Sequence, residues 1–371
     1  MNWLPWIPVF ILGIIFIVIT HELGHFFAAK AVGVKVEQFS IGFGPEIVGW
    51  DKGETRYSIK WLLAGGSVKI LGMNPEEEIK EEDRGRSYYE VAYWKRAVVI
   101  LAGSFVHLVL ALILLYLIFW PIGYRVPTGR IDKVPKTIEV SKGKNVPSPA
   151  YGAGLQKGDL ILEVNGKSVH QWADLQKQLS KRPGKDVYLK VKRDGKVFYV
   201  GAKLIDVNNK GILGIEVDIN DTFIERSNPI SAVWQALKLA GSTTVLTVKA
   251  IGSLFSVKTL KMLTGAEPRI NEGPLGPIGV VRYTYHAASL GVDVFLQVMA
   301  YILLFLALFN LVPLPPLDGS YLLIIIVEKI TGKEIDMRKL YPVATFVVLI
   351  IVILFLWLFV LDIVSPFKFA P

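Results

Sequence analysis

Four stretches of the chain are almost continuously apolar: Trp3 to Ile19, Val98 to Trp120, Val294 to Val312 and Pro342 to Leu361. With short extensions, each is long enough as a helix to cross a hydrocarbon core of about 30 Å. Between the first two runs the period changes. Tyr57, Ile59 and Trp61 alternate with polar residues, so Tyr57 to Ile70 predicts a strand hairpin turning at Gly65 and Gly66. The acidic stretch Glu76 to Asp83 is expected to be a solvated loop. From about Arg125 to Val207, short Val/Ile/Leu strands are separated by turn signals such as Asn165-Gly166 and Asp194-Gly195. Ser148 and Pro149 open a predicted short helix through Leu155, and Trp172 to Leu179 has helical apolar spacing. This region reads as a small α+β module outside the membrane. Ile230 to Leu263 is apolar, but Gln235, Lys238, Ser242, Thr243, Thr244 and Lys249 interrupt it. That mixture predicts an interfacial amphipathic helix; were it to cross the bilayer instead, the third span would run the opposite way.

Composition supports the membrane reading: 52% of the 371 residues are hydrophobic, and mean hydropathy is +0.44. The first run lacks a basic leader and a small-residue cleavage site, so it is read as a retained helix. A net charge of +9 suggests a polyanionic partner, but Lys and Arg are dispersed through loops. Contact with anionic lipid headgroups of the bilayer is expected, and no nucleic acid. The absence of cysteine excludes disulfides and thiolate metal sites, leaving His and carboxylates as ligands. Lys30 and Lys35 after the first span, Lys95 and Arg96 before the second, and Lys329, Lys333, Arg338 and Lys339 before the fourth place those loops in the cytoplasm.

The fold class expected is therefore an α-helical polytopic membrane protein with four transmembrane helices, an inserted module and a cytoplasmic β-hairpin. Its expected parts are 1–30, the first span; 31–91, a cytoplasmic loop with the hairpin; 92–122, the second span; and 125–207, the outward module. Then come 227–290, the interfacial helix and linker; 293–319, the third span; 320–341, a cytoplasmic loop; and 342–362, the fourth span.

His21-Glu22-Leu23-Gly24-His25 is a His-Glu-x-x-His sequence. On a helix its two histidines share one face and reach a single zinc, with Glu22 beside them as a base. The pattern alone recurs by chance. Its depth argues for function: with Trp6 near the outer surface, a rise of ~1.5 Å per residue puts His21 about 22 Å into the membrane. A catalytic zinc also needs a third protein ligand and an open position for water. Asn310-Leu-Val-Pro-Leu-Pro-Pro-Leu-Asp318-Gly319 breaks the end of the third span and leaves one carboxylate there. Spans one and three run in the same direction under the charge rule, so Asp318 lies at similar depth to the histidines and is the expected third ligand.

With these two motifs go Gly42-Phe43-Gly44-Pro45, Gly65-Gly66, Tyr93-Trp94-Lys95-Arg96 running into Ala102-Gly103, Ser148 to Val169, and Gly276-Pro277-Ile278-Gly279. Together they resemble the site-two-protease class of intramembrane metalloproteases, in its bacterial branch with a single PDZ domain, over essentially the whole chain. The resemblance implies that His21, His25 and Asp318 bind Zn2+ and that Glu22 activates water and returns a proton to the leaving amine. It further implies that Asn310 helps hold the substrate or its oxyanion. Substrates implied are single-span membrane proteins already trimmed by another protease, cut in or near their transmembrane segment. The implied location is the inner (cytoplasmic) membrane, with the PDZ-like domain extracytoplasmic. Tyr57, Ile59, Trp61, Gly65 and Gly66 are the expected substrate-binding strand. Two departures stand out. Gly103-Ser104-Phe105-Val106-His107 replaces the family's usual Gly-Pro-x-x-Asn, with His107 expected in helix packing, and no Gly-hydrophobic-Gly loop precedes Ser148. A metal transporter or nonproteolytic scaffold is the competing reading, from which Glu22 discriminates, because a transporter needs no base next to its ligands.

Overall fold

The computed structural model describes residues 4–74, 77–141, 144–253, 256–264 and 274–365. Trp3 and Glu76, which bound two of the segments above, and Phe255, inside the segment Ile230 to Leu263, lie outside the described residues. The chain forms two compact units, Met1–Trp120 with Asn228–Pro371, and Pro121–Ser227. In chain order the helices and the strands of the first unit are α1 (Ile7–Ala31), β1 (Val36–Lys52), β2 (Thr55–Ile70) and α2 (Tyr93–Leu117). The second unit contributes α3 (Pro149–Gly152) and α4 (Trp172–Ser180). After it come α5 (Pro229–Ser253), α6 (Val257–Leu263), α7 (Pro277–Leu290), α8 (Val292–Phe309), α9 (Asp318–Thr331) and α10 (Tyr341–Val364).

The helices built on α1, α2, α8 and α10 are long and apolar enough to cross a membrane, in line with the four apolar runs. The number becomes five if α5 and α6 form one span. Helix α1 approaches α2 closely because Gly24 has no side chain: a Cβ there would lie 2.6 Å from the Ala102 carbonyl oxygen. Small residues let helix backbones pack where lipid supplies no hydrophobic driving force. Helix α5 uses the same device, burying Ala232, Ala236 and Ala240 at four-residue spacing as it packs on α2 and α8.

The expected hairpin at Gly65-Gly66 does not form. The two ends of β2 do not pair with each other. Arg56 to Ile59 and Gly66 to Lys69 both pair with Gln38 to Ile41 of β1, one on each side, and Thr55 pairs with Lys52 across the actual turn. The cause lies in β1, where Gly42 and Gly44 adopt φ of +92° and +87°. These glycines bend the strand. Its second half, Glu46 to Lys52, therefore returns along the first half of β2.

The second unit is a β-rich α+β module. Lys196–Lys203, Asp186–Arg193, Leu160–Val164 and Lys167–Ser168 are neighbours in that order in one sheet, and α4 buries Leu175 and Leu179 in the same core as Ile161 and Leu189. Ser148 caps α3, its Oγ accepting from the Tyr151 N–H, with Pro149 in the first turn. Glu216–Val217 and Thr222–Glu225 return to pair with Ile131–Lys133 and Tyr124–Pro127, so the module closes on itself beyond Val207.

In the first unit Arg96 at the start of α2 donates to Glu328 near the end of α9, Nη2 to Oε2 at 2.7 Å, with side chains 4% and 0% exposed. Glu328 Oε1 also accepts from the Ile335 N–H at 3.0 Å. The guanidinium lies 4.5 Å from the Tyr89 ring centroid and 5.0 Å from that of Tyr88. A desolvated pair so enclosed is costly to break from one side, because the remaining charge stays buried. Arg96→Met should lower stability by about 3–5 kcal/mol. Arg96→Met combined with Glu328→Met should recover much of the loss, as denaturant unfolding in detergent would measure.

Candidate metal centre

Helix α1 places His21 and His25 one turn apart on a single face, with their Nε2 atoms 3.1 Å from each other. Asp318, the first residue of α9, brings its Oδ2 to 3.1 Å from His21 Nε2 and 3.3 Å from His25 Nε2. Among the described residues, these three form the group whose ligand atoms converge as a metal site requires. The far-apart motifs thus meet at one point.

The donor chemistry fits a metal cation. His25 Nδ1 lies 2.8 Å from the Val99 carbonyl oxygen, which can only accept, so Nδ1 carries the proton and Nε2 of the neutral ring presents a bare lone pair. That lone pair faces a second imidazole nitrogen and a carboxylate oxygen. Asp318 Oδ2 and His21 Nδ1 have no hydrogen-bond partner although buried. With His21 Nε2 likewise deprotonated, the three atoms offer a cation three electron pairs at once. Their 3.1–3.3 Å separations match the edge of about 3.3 Å for a tetrahedron with zinc–ligand bonds of ~2.0–2.1 Å.

The surrounding sequence explains how each ligand is held. Pro313, Pro315 and Pro316 cannot continue helix α8, and the chain folds back so that the Gly319 N–H donates to the Asn310 carbonyl at 2.7 Å. A Cβ on Gly319 would collide with the Leu311 carbonyl. This turn also leaves Asn310 Nδ2 3.4 Å from His21 Nε2. Helix α2 forms the opposite wall. A Cβ on Gly103 would lie 2.5 Å from His25 Nε2 and 2.8 Å from His21 Nδ1, so only glycine leaves the ligands their space.

Glu22 lies under the sheet. The Val68 N–H of β2 is directed at its carboxylate, and a Cβ on Gly66 would sit 2.9 Å from Glu22 Cγ. Of the five strand residues expected to hold substrate, Gly66 is thus against the site and Gly65 against the Phe43 ring. Tyr57 and Ile59 are elsewhere: Tyr57 pairs with both Phe39 and Trp50, and Ile59 with both Ile41 and Val48, so neither has a free backbone edge. The Tyr57 ring stacks on Trp50 and packs against Phe26, a structural role. Trp61 is exposed. Sequence reasoning missed Gly103, the Val99 carbonyl and the Val68 N–H. The small pair Ala102-Gly103 was a visible signal for the first, whereas backbone groups carry none.

The model of peptidase family M50 matches residues 9–355. Zinc metalloprotease Rip1 of Mycobacterium tuberculosis is 30% identical over 403 aligned residues, covering 99% of each chain. A candidate zinc metalloprotease of Clostridium acetobutylicum is 30% identical over 353 residues, 95% of this chain and 96% of that one. The solved PDZ domain of the SdrC-like protein from Listeria monocytogenes covers 25% of this chain and 85% of its own, at 22% identity and a TM-score of 0.18, too slight a likeness to carry an argument.

The geometry predicts that His21→Ala, His25→Ala and Asp318→Asn each lose bound metal. Gly103→Leu, which touches no ligand covalently, should weaken metal binding by about tenfold or more, because its side chain takes the ligands' place. Metal analysis of protein shown to be folded checks both. Full occupancy in Gly103→Leu would remove α2 from the account of the site.

Proposed function

The chain belongs to peptidase family M50 and is an intramembrane zinc metalloprotease acting on membrane proteins; we propose that His21, His25 and Asp318 hold its Zn2+ and that Glu22 is its general base. The observation that carries this assignment is the convergence of three ligand atoms within 3.1–3.3 Å, with the Glu22 carboxylate on the same helix turn.

When bound, zinc supplies Lewis acidity toward the scissile carbonyl and brings the pKa of water down to about 7. Glu22 takes the proton from water and delivers it to the departing amine. The Asn310 amide donates toward the oxyanion that develops on the carbonyl oxygen. His25 keeps its ligating nitrogen aimed by donating from Nδ1 to Val99. Low exposure of the ligands, 12%, 9% and 20% for His21, His25 and Asp318, keeps bulk water away and strengthens each of these interactions.

A peptide bond in a helix has its N–H and C=O already paired, so the substrate must be unwound before cleavage. The stretch Gly66 to Ile70 offers the freed strand a partner: its inner side pairs with β1, and its Gly66 lies against Glu22. Strand addition there sets the scissile bond beside the base. The substrates proposed are single-span proteins previously shortened by another protease. By the distribution of Lys and Arg, the zinc site lies toward the cytoplasmic face of the inner membrane, with the module of 125–207, read as PDZ-like, outside and 227–290 at the interface.

Glu22→Gln should keep its zinc and lose cleavage of a single-span substrate by about a hundredfold or more. Unimpaired cleavage by that variant would sink the assignment of the base and reopen the transporter reading.

Val68→Pro removes one outward donor of the strand and should abolish cleavage with zinc content unchanged. Normal cleavage by Val68→Pro would show that substrate is held elsewhere.

A further inference from the structure

A third histidine lies beside the centre and takes no part in the chemistry above. His107 of α2 is 2% exposed, and its ring centroid is 4.9 Å from that of His21 with the planes inclined at 41°. Its Nε2 lies 3.0 Å from the Ile17 carbonyl oxygen on α1. A carbonyl accepts only, so Nε2 bears the hydrogen and Nδ1 of the neutral ring is an acceptor. That Nδ1 is buried without a partner. His21 is its complement. If Nε2 of His21 binds zinc, the remaining hydrogen of the neutral ring is on Nδ1, and that donor is also buried without a partner. An orphaned donor and an orphaned acceptor therefore occupy adjacent rings, each costing on the order of 1–3 kcal/mol if left unmade.

We propose that His107 is a positioning residue for the zinc ligand His21, its Nδ1 accepting from the His21 Nδ1–H through one bridging water. Hydrogen-bond polarity then runs in one sense from ring to ring. The Ile17 carbonyl holds the His107 Nε2–H, and this sets His107 Nδ1 as acceptor. His107 Nδ1 holds the His21 Nδ1–H, and this leaves His21 Nε2 as the ligating lone pair. His25 has its counterpart in the Val99 carbonyl at 2.8 Å, so each zinc-binding imidazole is oriented by an acceptor on helix α2. Such outer partners fix the ring and raise ligand basicity. The role explains why a basic side chain at this depth is tolerated: every ring nitrogen has a use. It does not require His107 to touch the metal.

The proposal rests on His21 being a ligand through Nε2, and its test separates the two. Histidine side chains labelled with 15N, in the intact zinc-loaded protein in detergent micelles, report both. The metal-shifted His21 Nε2 resonance tests the ligand. The expected result for His107 is the Nε2–H tautomer with an unprotonated Nδ1, together with a His21 Nδ1–H proton that shifts upfield in His107→Leu and returns in His107→Gln. In parallel, chelator competition should show zinc affinity about 10–100-fold weaker in His107→Leu, largely recovered by His107→Gln, whose amide oxygen accepts in place of Nδ1. A residue that only fills space would give neither change. A His107 found as the Nδ1–H tautomer, or His107→Leu with wild-type zinc affinity, overturns the proposal. Should His107→Leu fail to fold, the wild-type His21 Nδ1–H decides: a proton resonance at the downfield position of a hydrogen-bonded imidazole N–H supports the proposal, and one at the position of a free imidazole N–H overturns it.

Discussion

Two imidazole nitrogens and a carboxylate oxygen lie within 3.3 Å of one another, and much of the membrane unit serves to hold them there. Helix α1 carries two of the donors and contributes Gly24 between them, which lets α2 come within backbone contact. That approach delivers the Val99 carbonyl to His25 and the bare Cα of Gly103 to the space beside both rings. The third donor arrives on α9, which is fastened at its far end to α2 by the buried Arg96–Glu328 pair. Packing free energy is thereby converted into ligand position. A bound cation would draw on all three, which couples metal binding to the fold that positions them.

The same unit solves a second problem, that of reaching a backbone which lipid forces to pair with itself. The sheet of β1 and β2 is anchored by Phe26, Phe39 and Ile70 to the core beneath the site. It turns one edge, Gly66 to Ile70, toward Glu22. Glycine at position 66 is what allows this edge to lie flat against the base, since any Cβ there would meet the Glu22 side chain.

The parts legible in the sequence are those written in local period or local chemistry. The four spans follow from uninterrupted apolar runs, the His21 and His25 pair from helical spacing, and Asp318 from proline punctuation beside a lone carboxylate. Long-range pairing was not legible. Gly42, Gly44 and Pro45 disguise β1 as a turn, so its partner Tyr57 to Ile70 appears to need a partner within itself, and Tyr57 and Ile59 look like edge residues when they are interior. The backbone groups of Val99 and Val68 have no sequence signature at all. His107 was visible as a departure from a pattern, yet its meaning depends on which ring nitrogen faces Ile17, a fact of geometry.

X-ray absorption at the zinc edge of the purified, intact protein tests the central claim most directly. The account predicts one zinc per chain with a low-coordinate shell of nitrogen and oxygen at about 2.0–2.2 Å, of which two donors show imidazole scattering. A shell with three imidazoles would place His107 on the metal, and one with none would remove His21 and His25 from it. Either result would contradict the account.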